Sequence, residues 1–394
     1  MKSNRLVILD ALRGLAGIAV VLLHFGEAFE AKRLGTDVRV PVWCGHGYLA
    51  VEFFMLLMGY MLAFAYDRRW AQGMTLKDFC LRRLQRLHPL VIPGTVLGLL
   101  VAFYDPTVGY SCFAGLDKAS KPTLALCALW AVTMVPVVGF KFLNPFNPCT
   151  WTLYYEYLGN FLYGAFVRRF GKRVLAFASA LSFVLLALMV YRVNLADLLG
   201  VESDFLTRLA TKQHHCSLVG GTILTDVEIY RGFMRLLFPF FFGLLLARLG
   251  WKLTMPRFGL PVAVVVFLAV LFTPHPYSLG APDHPWINGT FELAAVGLVF
   301  PALLLLGAGS ATGGRTDRFW TFLGELSYPL YMTHWPFYYL FWHWVYRYSS
   351  RHSGLFNLFV SVVVILLIGL VSWCVGRYWD RPVGNWIGSR WRKR

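Results

Sequence analysis

The chain opens with the apolar stretch LVILDALRGLAGIAVVLLHF at residues 6–25. A helix of about 20 residues rises about 30 Å, which is enough to cross the hydrocarbon core of a bilayer. The stretch nevertheless contains Asp10, Arg13 and His24, and an ionisable group at membrane depth costs on the order of 3 kcal/mol or more. A helix that served only as an anchor would carry leucine at these positions. The sequence therefore predicts a membrane span that contributes to a functional site.

The composition indicates that the rest of the chain also lies in a membrane. Hydrophobic residues make up 57% of the 394 residues and charged residues only 14%, against about 25% in soluble proteins. The net charge of +17 would suit nucleic acid, but Lys and Arg cluster in short loops between apolar segments, as the positive-inside rule predicts. We therefore expect no nucleic-acid partner. The seven cysteines lack CxxC or CxxH spacing, so no metal site is predicted.

Ten apolar segments predict an all-α, polytopic integral membrane protein. They cover residues 6–26, 46–66, 88–105, 150–167, 174–192, 232–249, 258–274, 289–308, 326–346 and 355–376. The loops alternate in charge, and the Lys- and Arg-rich set marks the cytoplasmic side. Both termini and loop 67–87 are therefore predicted to be cytoplasmic, and loop 193–231 to be outside. The first span lacks a small-residue cleavage site, so we expect it to be retained.

Residues 122–140 form a further apolar segment. Counting it as a span would place the basic cluster at 168–173 outside and invert every later loop. We predict instead a re-entrant or surface-lying segment on the outer face.

Three spans place a polar side chain at similar depth in the outer half of the membrane. His24 lies near the outer end of span one, and Glu52 and Glu156 follow soon after the outer ends of spans two and four. A carboxylate beside a histidine can fix the imidazole tautomer and stabilise its protonated form. We therefore predict that His24 is a general base and that Glu52 or Glu156 orients it. Taken alone, either glutamate could equally be a structural hydrogen-bond partner.

The cytoplasmic side carries a basic run, Arg82-Arg83-Leu84-Gln85-Arg86, directly before span three. Arg83 and Arg86 are three residues apart and so share a helix face. Such a face can hold a phosphate-bearing ligand through charge-assisted hydrogen bonds, although a run of this kind also serves as a topology anchor.

Two more polar residues lie within spans. Arg13 lies in the inner half of span one, between the basic run and His24, and it can alternatively pair with Asp10 on the same face. His334 lies in span nine, and we assign it to ligand binding, although a lone histidine there could be a satisfied interior group. The other histidines are predicted to be solvated: His46, His88, His214, His215, His275, His284, His343 and His352.

These residues carry a resemblance to the acyltransferase 3 family of integral membrane O-acyltransferases. Arg13 and His24 match the family's Arg-x10-His pattern, and Arg83 with Arg86 resembles its Arg-x-x-Arg motif. Further elements are similar in kind and order: the stretch 47–54, Trp151-Thr152-Leu153 with Glu156, the stretch 326–334, and the terminal Tyr378-Trp379-Asp380-Arg381-Pro382. The resemblance covers essentially the whole chain, as a single domain of residues 1–394.

The sequence departs from the family pattern at two positions. Met58 replaces the usual serine, and Asp380 stands where glutamate is usual. The first departure bears on local helix packing more than on the chemistry. Because the chain ends soon after span ten, we also expect the form without the extracytoplasmic SGNH hydrolase-like domain of some relatives.

The resemblance implies transfer of an acyl group, commonly acetyl from acetyl-CoA, to a hydroxyl of an envelope glycan, in the bacterial cytoplasmic membrane. The acyl-CoA would be a donor substrate rather than a bound cofactor, and membrane lipid would surround the protein. Donor binding would fall to Arg82, Arg83, Arg86 and His334. Arg13 would help to hold the pantetheine or the acyl carbonyl, and His24 would take the proton from the sugar hydroxyl or form an acyl-histidine. The acceptor stays open among exopolysaccharide, cellulose, lipopolysaccharide and peptidoglycan.

Two other classes of protein remain open. A secondary transporter would also have about ten spans and intramembrane charges, but it would more often show paired halves with broken helices. A non-catalytic subunit of a polysaccharide export system would need neither a basic cytoplasmic face nor a buried histidine. Turnover of acetyl-CoA in the presence of glycan separates an enzyme from both.

Overall fold

The computed structural model describes residues 6–34, 42–104, 119–137, 139–211, 216–275, 285–310 and 312–391. Within these ranges the chain is predominantly helical and has no β-strand, although an isolated bridge joins Phe142 to Ile223. The helices are α1 Val7–Leu34, α2 Ala50–Ala71, α3 Leu76–Leu87, α4 Val91–Tyr104, α5 Lys121–Val132, α6 Trp151–Ala165, α7 Lys172–Val190, α8 Leu195–Leu199, α9 Asp204–Thr211, α10 Asp226–Leu249, α11 Gly259–Phe272, α12 Pro285–Ala294, α13 Phe300–Gly309, α14 Asp317–Tyr348, α15 Gly354–Val375 and α16 Arg381–Trp391. Two π-helical turns, Ala295–Val299 and Gly376–Asp380, join α12 to α13 and α15 to α16.

Seven helical stretches in the described residues are long and apolar enough to cross a membrane. They are Val7–Glu30, Gly47–Ala71, Leu76–Tyr104, Lys172–Val190, Asp226–Leu249, Trp286–Gly309 and Gly354–Arg390. The predicted spans 150–167, 258–274 and 326–346 coincide with α6, α11 and α14, which have 15, 14 and 32 residues. The all-α, polytopic architecture is confirmed. The count of ten spans and the cytoplasmic location of both termini stay predictions.

Helices α1 and α14 pack against each other and run parallel. Arg13 donates to the carbonyl of Gly324, and 19 residues further along α1 Lys32 donates to the carbonyl of Val345, at 2.8 Å. Because the contacting residues have higher numbers on both helices at the second contact, the two helices run parallel. The predicted topology requires the same, because spans one and nine both begin on the cytoplasmic side.

Helices α2 and α10 are also parallel, which agrees with two spans that both begin outside. Glu52, near the start of α2, pairs with Arg235 in the middle of α10, and further along both helices Asp67 accepts two hydrogen bonds from Arg248, at 2.7 and 3.0 Å. These two ion pairs fix how far α2 and α10 are shifted along each other.

Glycines allow both helix pairs to approach closely. A Cβ atom at Gly14 of α1 would lie 2.7 Å from the Cβ of Leu323 on α14, and one at Gly243 of α10 would lie 2.2 Å from the carbonyl oxygen of Leu56 on α2. Small residues of this kind are typical of tight helix packing in membranes, where van der Waals contact rather than the hydrophobic effect holds helices together.

The predicted non-spanning segment 122–140 contains α5, a helix of 12 residues. A helix of this length rises about 18 Å, which is less than the hydrocarbon core of a bilayer. Leu124 and Ala131 are buried in a cluster with Phe146 and residues of α4. A re-entrant or surface-lying placement on the outer face stays a prediction.

The segment that follows α5 runs deep into the protein before α6 begins. Asn144, Asn147 and Thr150 are fully buried there, and the Asn147 amide donates to the carbonyl of Met332 in the middle of α14, at 2.7 Å. Helix α6 therefore starts well inside the helical bundle rather than at its outer edge. This placement moves every polar side chain of α6 further from the predicted outer surface.

Candidate active site

A cavity of about 500 Å³ lies between α1, α2, α3, α6 and α14. Its cationic lining comes from Arg13, Arg83 and Arg86, and its acidic lining from Asp10, Glu156, Glu325 and Asp380. Most of α2's contribution is apolar, including Phe54, Met55, Met58 and Met61. A cavity of this kind suits a ligand with a phosphate-bearing head and a less polar arm.

Met58, which stands where the resemblance expects serine, forms part of this apolar wall. Its methyl group also fills the space opposite Gly159 of α6, where an added Cβ would lie 2.9 Å away. The departure therefore affects both helix packing and the shape of the cavity.

The basic run on α3 divides into cavity-lining and outward-facing arginines. Arg83 is buried and donates to the carboxylate of Glu156 at 3.1 Å. Arg86 lines the cavity and is accessible to solvent. Arg82 is exposed and is absent from the cavity lining. The predicted phosphate-binding face therefore reduces to Arg83 and Arg86.

Arg13 lines the same cavity and has its guanidinium fixed from two sides. Nε and Nη2 donate to the carbonyl of Gly324 at 3.0 and 2.6 Å, and Nη2 lies 3.1 Å from Asp10. The alternative pairing of Arg13 with Asp10 is thus confirmed. His24 follows 11 residues later on α1, about 16 Å along the helix axis.

His24 has a carboxylate partner on its own helix. Its Nδ1 lies 2.7 Å from Oε2 of Glu27, and the two side chains are 15% and 19% exposed. A carboxylate accepts hydrogen bonds, so the proton of the neutral ring lies on Nδ1 and the lone pair on Nε2. This arrangement prepares His24 to accept a proton at Nε2, because Glu27 would stabilise the imidazolium that forms.

His334 and Cys149 share the layer of His24. The two imidazole rings are stacked with centroids 5.5 Å apart. Nδ1 of the fully buried His334 faces the carbonyls of Tyr331 and Leu330 at 2.8 and 3.1 Å, so it carries the proton. Its Nε2 then accepts from the Cys149 thiol, 3.4 Å away, and the same sulfur lies 3.9 Å from Nε2 of His24.

A pair of hydroxyl groups joins this layer to the cavity. Thr152 and Tyr331 both line the cavity. The Thr152 hydroxyl donates to the Tyr331 oxygen at 2.9 Å, and Tyr331 donates to the carbonyl of Cys149 at 3.1 Å. The cavity therefore extends from the arginines to Thr152 and Tyr331, and one residue, Cys149, lies between this end and His24.

The predicted pairing of His24 with Glu52 or Glu156 is wrong. Glu52 is fully buried and forms its ion pair with Arg235 on α10, because its side chain faces α10 and not α1. Glu156 lies in the cavity lining and pairs with Arg83.

The position of Glu156 follows from the deep start of α6. Cys149 already lies at the level of His24, and Glu156 comes seven residues later, about 10 Å further toward the arginines at helical rise.

The assignment of His334 to the ligand-binding arginines also needs correction, because it lies beside His24. Two residues of this layer were missed from the sequence. Glu27 stands three residues after His24 and so shares its helix face, a signal that the sequence does contain. Cys149 lies far away in the chain, and no local pattern marks it.

Two groups of side chains in the described residues have donor atoms close enough to hold a metal ion. One is His24, Cys149 and His334; the other is His46, His275 and Glu292. The prediction that His46 and His275 are solvated is wrong, since both are buried. The predictions for His214, His215 and His284 fall outside the described residues.

Comparisons with known proteins give two partial matches to curated relatives. Protein 2 in the picA locus of Rhizobium radiobacter is 32% identical over 102 residues, which are 26% of this chain and 47% of that protein. The peptidoglycan O-acetyltransferase OatA of Listeria monocytogenes is 29% identical over 103 residues, which are 25% of this chain and 14% of that protein. The chain thus spans less than half the length of these relatives. No solved structure matches the chain significantly.

A family profile gives much wider coverage. The profile of the acyltransferase domain of acyltransferase 3 proteins matches residues 6–378. This range includes the cavity arginines and the layer formed by His24, Cys149 and His334. The chain therefore belongs to the acyltransferase 3 family and is a multi-pass membrane acyltransferase.

Proposed function

We propose that this membrane acyltransferase moves an acyl group, in the simplest case acetyl, from cytoplasmic acyl-CoA to a hydroxyl of an envelope or secreted glycan in the bacterial cytoplasmic membrane. The observation that carries the proposal is the continuity of the site: one cavity begins at Arg83 and Arg86 and ends one residue layer from His24. The name of the Listeria relative, a peptidoglycan O-acetyltransferase, supports both an acetyl group and a glycan acceptor.

Donor binding follows the polarity of the cavity. The coenzyme A phosphates would contact Arg86, which is accessible, and Arg83, which Glu156 holds in place. Charge-assisted hydrogen bonds of this kind each contribute about 1.5–3 kcal/mol. The pantetheine arm would then pass along the apolar wall that contains Met58 and reach Thr152 and Tyr331 at the far end.

Arg13 has a narrower role than the sequence suggested. It lies about 16 Å from His24 along α1, so it cannot contact an acyl carbonyl that is positioned for attack beside His24. Its place in the cavity lining suits the coenzyme A phosphates or the pantetheine arm.

His24 would act as the general base in the transfer. Its Nε2 accepts the proton of the sugar hydroxyl while the hydroxyl oxygen attacks the thioester carbonyl. The bond between that carbonyl carbon and the coenzyme A sulfur breaks, and the thiolate takes up the proton from His24. Glu27 holds Nδ1 throughout and stabilises the positive ring, as carboxylates do beside catalytic imidazoles.

The test compares acyl transfer by the unmodified protein, His24→Ala and His24→Asn in liposomes with labelled acetyl-CoA and isolated envelope glycans. Both variants should lose about 100- to 10,000-fold in rate and retain coenzyme A binding. Asparagine keeps a hydrogen-bonding side chain but cannot accept the proton, so near-normal acylation by His24→Asn would refute the role of the histidine. His352→Ala, at an exposed histidine, is the matched control and should remain active.

The acceptor can be identified separately. Ester-linked acyl groups on exopolysaccharide, cellulose, lipopolysaccharide and peptidoglycan are quantified in cells with and without the protein. Loss of acyl groups from one of these glycans would name the acceptor. Unchanged acylation of all four, together with no turnover of acetyl-CoA in liposomes, would contradict an envelope-glycan acyltransferase.

A further inference from the structure

A second cluster of metal-ligating side chains lies near the predicted outer ends of the helices. His46 precedes α2, His275 follows α11, and Glu292 and Asn288 lie on α12. All four side chains are buried. The candidate ligand atoms of His46, His275 and Glu292 lie within 4.8 Å of one another, and the rings of the two histidines are stacked with centroids 5.4 Å apart.

The hydrogen bonds around Asn288 fix the orientation of its amide. Nδ2 donates to the carbonyl of Cys216 at 3.0 Å and to Oε1 of Glu292 at 2.6 Å. Turning the amide over would place its oxygen against both of these acceptors. Oδ1 of Asn288 therefore points toward Nε2 of His46, 2.9 Å away.

His46 is consequently enclosed by two acceptors. Its Nδ1 lies 2.8 Å from the carbonyl of Thr273, so the proton of a neutral ring belongs on Nδ1. Nε2 then presents a lone pair to the oxygen of Asn288, and two acceptors at 2.9 Å repel unless a cation lies between or beside them. A ring whose Nδ1 donates to a backbone carbonyl and whose Nε2 carries a lone pair is the usual form of a metal-bound histidine.

Glu292 supplies a negative charge to the same place. Oε1 accepts from Tyr48, from Ser217 at 2.8 Å and from Asn288, and Oε2 accepts from the backbone N–H of Leu218 at 2.5 Å. These donors are neutral, so none of them cancels the charge of an ionised carboxylate. A metal ion beside it would offset the buried charge.

We propose that His46, His275 and Glu292 bind a zinc ion, with Asn288 Oδ1 as the nearest fourth ligand. Imidazole and carboxylate ligands suit zinc, and four protein ligands in a buried site are typical of a structural rather than a catalytic centre. Zinc bonds of about 2.0–2.2 Å in a tetrahedron place ligand atoms about 3.4 Å apart. The ligand atoms of His46, His275 and Glu292 lie within 4.8 Å of one another, so side-chain rotation would have to shorten any one separation by at most about 1.4 Å. The alternative is that a proton, not a metal ion, lies between Nε2 of His46 and Oδ1 of Asn288. That alternative would not explain why the ligand atoms of His275 and Glu292 also lie close to the ligand atom of His46.

Such an ion would join four parts of the chain at one level. It would connect the start of α2, the end of α11, helix α12 and the loop at residues 216–218 that Glu292 holds. The same segment before α2 packs on α1 near His24, where a Cβ at Gly47 would lie 3.1 Å from that of Leu23. The zinc would therefore stabilise the segment before α2 that packs near His24, without taking part in acyl transfer.

The test measures zinc bound to the purified, chelator-stripped full-length protein in detergent, by mass spectrometry after equilibration with chelator-buffered Zn²⁺. The unmodified protein should retain about one zinc per chain and unfold at a higher temperature with zinc than without it. His275→Gln and Glu292→Gln should weaken binding by more than the roughly 10- to 100-fold that loss of an outer-shell partner costs. His352→Gln should not change binding.

Cobalt separates this site from the other metal-capable group. Co²⁺ bound by His46, His275 and Glu292 should show no thiolate-to-cobalt charge-transfer band, and binding should survive Cys149→Ser. Loss of binding in Cys149→Ser, or no binding by the unmodified protein above that of His275→Gln, would overturn the proposal.

The pH dependence provides a readout that does not depend on variants. Zinc competes with protons for histidine, so zinc affinity should rise with pH. A thermal stability of the metal-free protein that falls as the pH rises, with no effect of zinc, would assign the place between His46 and Asn288 to a proton instead.

Discussion

Replacing Glu27 by Gln tests the His24–Glu27 pair without removing the hydrogen bond. Gln still offers an oxygen to the Nδ1 proton of His24, which lies 2.7 Å from the carboxylate in the unmodified protein. The substitution removes only the negative charge. We therefore expect the tautomer of His24 to be retained and the stabilisation of its imidazolium to be lost.

The expected magnitude follows from the separation and exposure of the two groups. Opposite charges about 4 Å apart attract by about 1 kcal/mol in water and about 4 kcal/mol at an effective dielectric constant of 20. The side chains are 15% and 19% exposed, which places the pair between these limits. Since about 1.4 kcal/mol corresponds to a factor of ten in rate, Glu27→Gln should slow acyl transfer about 5- to 1,000-fold. His24→Ala should be slower still.

The assay is the release of coenzyme A thiol in liposomes over a range of acetyl-CoA concentrations at saturating glycan. The charge on the ring develops only in the transition state, so kcat should fall while the donor KM stays unchanged. Glu30→Gln is the matched control, because Glu30 lies one turn further along α1 and has no assigned part in the reaction. A Glu27→Gln enzyme within twofold of the unmodified rate, or a loss confined to the donor KM, would refute the reasoning.

Arg86→Ala should weaken acyl-CoA binding in calorimetry at least tenfold, from the loss of a charge-assisted hydrogen bond of about 1.5–3 kcal/mol; Arg82→Ala should not, and equal losses would contradict the division of the basic run. Glu52→Ala should lower the free energy of unfolding by about 3–5 kcal/mol, because Arg235 is left buried without its carboxylate. A Glu52→Ala protein with unchanged thermal stability but no activity would restore the catalytic role predicted for this residue. Cys80, which is exposed on α3, should react with an impermeant maleimide only after the membrane is opened, in a variant that keeps it as its single cysteine; labelling in intact cells would overturn the predicted orientation.

The relative directions of the helices could be predicted from the sequence because loop charge depends only on which residues lie between apolar segments. The parallel pairs α1 with α14 and α2 with α10 agree with that reasoning. The cavity arginines were found for the same reason. Hydropathy places Arg13 in the inner part of span one and Arg83 and Arg86 directly before span three, so their depth needs no knowledge of packing.

Depth within α6 could not be predicted in this way. Hydropathy shows where an apolar segment starts, but not that residues 139–150 already descend into the bundle through the buried Asn144 and Asn147. Placing Trp151 at the membrane surface put Glu156 about 10 Å too far out. The helix that Glu52 contacts could not be predicted either, because a span that is apolar all round carries little information about which neighbour each side contacts.

The position of Arg13 in the cavity and the stacking of His24 on His334 both depend on one structural feature, the close parallel contact of α1 and α14. Arg13 can donate to the carbonyl of Gly324 only because both helices carry glycine there; a Cβ at Gly324 would lie 2.7 Å from that of Asp10. Eleven residues further along α1 and ten along α14, the same register stacks His24 on His334. Moving the two helices apart at Arg13 and Gly324 would therefore also separate His24 from His334. The distance between donor binding and proton transfer is thus set by helical rise along two helices that hold each other in register, and neither level needs a flexible loop to position it.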